Sequence, residues 1–171
     1  MRILLLTSPL ILFGLASSLA QNSSSKGSVE EIQRVVERAS FEFSNPKMYA
    51  NQSDWVGKTI AFQASFSART DILNTDLPYE QVSGQSPDGD PINALAFYDT
   101  PLITSRNTWE TGTTISRADR VYIFGVVQKC KEVITRTGVV RVLPMLDLLL
   151  VFRLDDRAFR DPIWVSKSLR H

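Results

Sequence analysis

Residues 59–68 constrain the fold most. Ile60, Phe62, Ala64, Phe66 and Ala68 alternate with Thr59, Ala61, Gln63, Ser65 and Ser67. A helix repeats its faces at three and four residues, so a sustained period of two excludes one. The pattern fits a strand with one face against a core and the other wet. Such a strand needs neighbours for its backbone groups and a second apolar layer for its dry face. A mainly β protein follows.

Residues 94–98 read as a short second strand. Residues 103–115, marked by Trp109, read as a third broken by polar positions. Residues 121–127 are apolar on both faces, which implies cover on both sides. Arg136-Thr137-Gly138 is a turn signal, and residues 139–143 and 146–154 read as two strands separated by Pro144. Ile163, Trp164 and Val165 suggest one more short strand. Residues 71–91 are rich in Asp, Asn, Ser, Gly and Pro and read as one long loop, a kind of segment that is often functional. Before the strands, residues 28–43 carry Val29, Ile32, Val35, Val36, Ala39 and Phe43 at helical spacing, opposite Glu30, Glu31, Arg34, Glu37 and Arg38. Ser28 and Glu31 have the spacing of a capping box, and Asn45-Pro46 is expected to end the helix.

The N-terminus reads as a cleavable export signal. Arg2 is a short basic region, residues 3–16 are mostly apolar, and small residues lead to a cleavage point after Ala20. The polar, Ser-rich residues 21–27 form a flexible leader. The expected location is periplasmic or secreted. Cys130 is the single cysteine, so no intramolecular disulfide holds the fold. That favours a bacterial envelope over a small disulfide-stapled animal domain. No stable membrane insertion is expected once the signal is removed.

Without the signal the chain carries 18 basic and 18 acidic residues. Non-specific nucleic-acid binding requires net phosphate neutralisation, so overall charge gives it no support. The distribution is nevertheless uneven. Residues 21–116 hold 7 Lys or Arg against 12 Asp or Glu, and residues 117–171 hold 11 against 6. The two halves either neutralise each other or leave a basic face.

Catalytic chemistry is hard to assemble from these residues. Gly57-Lys58-Thr59 lacks the earlier glycine of a phosphate-binding loop, Gln52 standing in its place, and it runs into a strand. The only histidine is His171, the last residue, so a His-dependent nucleophilic triad has no base in a fixed position. Cys130 and His171 are too few for a zinc site. Asp88, Asp90 and Asp99 lack calcium-loop spacing. No enzyme, metal or cofactor is expected.

Two features carry a resemblance. Trp55-Val56-Gly57-Lys58 precedes the alternating strand, and Asp119-Arg120-Val121-Tyr122-Ile123-Phe124-Gly125-Val126-Val127 follows some sixty residues later. Over residues 54–155 the chain resembles the OB-fold, the oligonucleotide- and oligosaccharide-binding domain. The resemblance implies a small five-stranded OB-like barrel, residues 47–171, preceded by one amphipathic α-helix, residues 28–46. It also implies a binding face on the second and third strands and their loops. There Tyr98, Arg106 and Trp109, with Arg69 after the first strand, are the expected ligand-binding residues through stacking and cationic contacts. The expected partner is a polymer, either a glycan or single-stranded nucleic acid. The alternative is an assembly component of the cell envelope that docks an envelope protein through its N-terminal helix.

Overall fold

The structure is a computed structural model that describes residues 29–66, 79–99 and 119–170. The export signal, the leader, the strand expected over residues 103–115, and Arg69, Arg106 and Trp109 lie outside the described residues.

The described chain is mainly β. Six strands form one sheet: β1 (Thr59–Phe66), β2 (Glu80–Gln85), β3 (Pro91–Phe97), β4 (Val121–Ile134), β5 (Val140–Arg153) and β6 (Trp164–Val165). Their order is β3-β2-β1-β4-β5-β6, with antiparallel neighbours. A parallel pairing of β3 with β5 joins five of them into a ring, β1-β2-β3-β5-β4. Two helices precede the sheet, α1 (Val29–Arg38) and α2 (Asn45–Ala50).

Several elements differ from expectation. Residues 71–91 are not one loop, because β2 lies inside them. Val82 is the one large apolar residue of β2, so no hydrophobic run announces the strand. Residues 86–90 then turn tightly: Ser86 N–H donates to the Asp90 carbonyl, Gly89 N–H donates to the Ser86 carbonyl, and Gly89 has φ +87°. Residues 135–139 repeat this turn with Gly138 at φ +79°, a three-residue hairpin loop whose left-handed position suits glycine. Pro144 does not divide two strands but sits inside β5. Alternation from the Thr135–Val139 pair turns its missing N–H toward β3, so the β4 ladder loses no bond.

The helix is shorter than its apolar stripe. After Arg38 the Ser40 N–H donates to the Thr59 carbonyl at 2.9 Å, and the Ser40 carbonyl accepts from Ala61 N–H at 2.9 Å. β1 thereby captures the backbone that would have continued the helix. Asn45-Pro46 starts α2 instead of ending α1. Ser44 caps it by accepting from Lys47 N–H, and Pro46 occupies the first turn, where no intrahelical donor is needed.

Two cores result. Ile60, Phe62, Ala64 and Phe66 of β1 join Val82, Ile92, Ile123 and Leu146 inside the ring, and Phe43 and Met48 pack with them. On the outside, Ala61, Phe124, Leu150 and Phe152 meet Ile32 and Val165. β5 serves both cores through a bulge: Phe124 pairs with Leu150 and Gly125 with Leu148, which leaves Leu149 unmatched and switches the inward set. Phe159 completes the outer cluster, with its ring 5.1 Å from Tyr122 and Phe124 and 5.3 Å from Phe152. These contacts hold it at φ +50°, a region that bulky residues rarely adopt.

Candidate binding surface

Outside the ring, α1, Phe41 and Phe159 cover Phe124, Leu150 and Phe152, while Leu95, Val133, Leu143 and Met145 form a second buried cluster. Over β1, β2 and the start of β3 the outward positions carry amides and hydroxyls. Gln63 pairs with Gln85, and Gln85 with Pro91, to form one row. Ser65, Ser83 and Asn93 form the next, with Ser83 Oγ donating to Asn93 Oδ1 at 3.0 Å. A third row runs from Gln81 through Leu95 and Met145 to Lys129. On β4 and β5 the same face carries Lys131 opposite Leu143 and Arg141 opposite Val133. The hairpin's acidic residue, Glu132, pairs with Val142 on the opposite face. Among the described residues no ion pair involves Lys129, Lys131, Arg136 or Arg141. An uncharged hydrogen-bonding surface and a cationic one therefore share this face, with the buried Leu95, Leu143 and Met145 between them.

Two concavities flank the polar rows. One, of about 270 Å³, is lined by Phe41, Gln63, Gln85, Tyr122 and the turn residues Ser86 and Pro87. Gln63 Nε2 donates to the Tyr122 hydroxyl at 2.7 Å, and Arg120 donates to Gln63 Oε1 at 3.1 Å, which fixes the amide's orientation. The other, of about 420 Å³, lies between β3 and the distal part of β5, with α2 as its third wall; Tyr49, Asn93, Val140 and Arg141 are among its lining residues.

The buried Asn45 builds the α2 wall of the second concavity. Its Oδ1 accepts from Asn93 N–H at 2.7 Å, and its Nδ2 donates to the Asn93 carbonyl at 3.2 Å. A side-chain amide thus does for β3 what a neighbouring strand's peptide would do. Lys47 of α2 reaches Asp88 of the β2–β3 turn at 3.8 Å.

Of the four expected ligand-binding residues, Tyr98 alone lies among the described residues. It follows β3 half-buried and packs against the inner core. Its neighbour Phe97 takes the outer face, with its ring 5.7 Å from Tyr79. Asp99 does not gather with Asp88 and Asp90. Its carboxylate accepts from Ser166 Oγ and Lys167 N–H, each at 2.8 Å, which anchors the C-terminal segment. Gly57, with φ +82°, turns the chain into β1, and its N–H donates to the Val127 carbonyl at 2.8 Å. The Trp-x-Gly-Lys run therefore joins β1 to β4, while Lys58 lies over the Trp55 ring at 5.1 Å.

Two ionisable groups are perturbed. Burial raises the Cys130 thiol pKa; its Sγ lies 3.5 Å from Met48 Sδ. Burial also raises the carboxyl pKa of Asp147, which pairs with Phe97 on β3 and Val126 on β4. Among the described residues no three of His, Cys, Asp and Glu converge as metal ligands, and no helix is long and apolar enough to cross a membrane.

Sequence reasoning located Gln63 and Ser65 on the wet face of β1. It missed Ser83 and Gln85, because β2 was hidden within a loop-like composition, and Asn93, which precedes the residues read as the second strand. It also missed the cations of the β4–β5 hairpin, whose signal was the basic excess of the C-terminal half. Comparison with protein-family models, curated proteins and solved structures finds no match.

Proposed function

We propose that this chain is an exported, non-catalytic binding module of OB type that holds an acidic glycan across the outer face of β1–β3 and the β4–β5 hairpin. One observation carries the proposal: neutral amide and hydroxyl rows and the cations Lys129, Lys131 and Arg141 share one face of the sheet, on either side of the buried Leu95–Met145 pair. Amides and hydroxyls match sugar hydroxyls, and the cations match carboxylate or sulfate groups.

The OB assignment is supported by the five-strand ring and by the parallel β3–β5 pair that joins it. The mid-strand glycine that OB-folds often carry in their first strand is met here by Gly84, directly across from Ala64. A Cβ at Gly84 would collide with the Gln63 carbonyl oxygen, so β1 and β2 approach as coiled strands do. Docking through the N-terminal helix has less support: Ile32 is buried, and Val35 and Val36 pack on the chain's own sheet.

The test is a titration of the chain with oligogalacturonate, neutral dextran and oligothymidylate at two salt concentrations, read alongside a broad glycan array. Oligogalacturonate or another acidic glycan should bind, weaken as salt rises, and outrank dextran. Preference for oligothymidylate would move the ligand class to nucleic acid. Failure of every probe would overturn the proposal.

A further inference from the structure

The β3–β5 ladder stops where the sequence makes it stop. Leu95 pairs with Met145 and Phe97 with Asp147, and the pairing goes no further toward the N-termini. In a parallel ladder the next step would need the residue 144 N–H to donate to the Asn93 carbonyl. Residue 144 is proline and has no N–H. Asn45 supplies the donor instead, and its Oδ1 also takes the Asn93 N–H that would have bonded to the Val142 carbonyl.

The near end of β5 is left with an open edge. The Thr135 N–H donates to the Val139 carbonyl, so bonded pairs alternate from there: Val133 with Arg141, then Lys131 with Leu143. The peptide groups of Val140 and Val142 point the other way, into the cleft of about 420 Å³. Four consecutive residues, 140 to 143, line that cleft, as expected for a groove beside a strand edge and not over one face. Val140 is 60% exposed, so the edge is accessible. Tyr49, 49% exposed, stands on the opposite bank. Arg141 lines the groove, and Arg136 lies at the hairpin tip; among the described residues neither has an ion-pair partner.

We propose that residues 140–143 are a docking edge for an extended acidic segment of a partner protein, which adds as a strand between β5 and α2. The partner's backbone would pair with the Val140 and Val142 peptide groups, and its acidic side chains would meet Arg141 and Arg136. This edge shares Arg141 with the proposed glycan face, but its backbone donors and acceptors at Val140 and Val142 are its own, so amide pairing tests it apart from glycan binding.

The test uses the full chain, labelled with ¹⁵N, and a blocked hexapeptide of alternating glutamate and valine. The Val140 and Val142 amides should shift, and their hydrogen exchange should slow at least about tenfold. Two further probes carry N-methyl groups on one or the other set of alternate residues. Strand addition requires one set to abolish binding and the other to be tolerated. Val140→Pro removes an edge donor at the first residue of the strand, where proline is tolerated, and should weaken binding about fivefold to tenfold. Arg141→Glu should reverse the preference toward a lysine–valine hexapeptide. Unchanged amides at millimolar peptide, or equal binding by both N-methylated probes, would overturn the proposal, and neither result depends on a variant that folds.

Discussion

The two halves of the sheet's outer surface make opposite use of the same strand geometry. Over β4 and the far end of β5, outward positions are Phe124, Leu150 and Phe152, and the cover is α1, Phe41 and Phe159. Over β1–β3 the outward positions include Gln63, Ser65, Ser83, Gln85 and Asn93, of which Gln85 is exposed, beside the buried Gln81 and Leu95. β1 belongs to both halves: its Ala61 is buried under the helix, and Gln63, two residues on, belongs to the polar rows. The covered half contributes stability through apolar burial. The rows of Gln63, Ser83, Gln85 and Asn93 lack that apolar cover and are the proposed ligand face.

The largest effect should come from breaking the covered half. Phe124→Ala removes a fully buried ring that contacts Phe41, Phe152 and Phe159, and should cost about 3–5 kcal/mol in denaturant unfolding. Gly84→Ala tests the seam where β2 meets β1. Its Cβ would meet backbone atoms of Gln63, which cannot swing aside, and a loss of about 3 kcal/mol or β1–β2 separation is expected. Asn45→Ala leaves the Asn93 peptide groups without their partners and should cost about 2 kcal/mol, with faster hydrogen exchange at Asn93.

Smaller effects sharpen the contrast. Asp147 has its carboxyl pKa raised in the folded chain by burial, so its ionised form is the disfavoured one. The penalty is fully present above the raised pKa, and stability from this group increases as pH falls through that value. Asp147→Asn should remove that increase, as pH-dependent melting curves would record. Gln85→Ala, on the polar half, should change stability by no more than about 0.5 kcal/mol while weakening glycan binding.

The strands most legible in sequence were those with a complete apolar face. β1 is visible because Ile60, Phe62, Ala64 and Phe66 alternate in it, and β4 because Val121, Ile123, Phe124 and Val127 form a dense run. β2 was not legible. Its backbone pairs on both sides, yet its inward positions include Gly84, required by the close approach of β1 and not by a turn. β5 read as two strands because Pro144 normally interrupts a ladder; only the edge toward which its nitrogen points makes it acceptable, and that depends on register. The Asn45 bridge spans 48 residues and leaves no local pattern. Charge was legible only as a basic half. Pairing Lys131 with Leu143 and Arg141 with Val133 turned that excess into a face.

The central claim is that the polar half is the ligand face. The most direct measurement is ¹⁵N shift mapping of the chain during titration with oligogalacturonate. The account predicts perturbations at Gln63, Ser83, Gln85, Asn93, Lys129 and Lys131, with α1 and the Phe159 region unmoved. Perturbations centred on α1 and Phe159, with the β1–β3 rows silent, would contradict it.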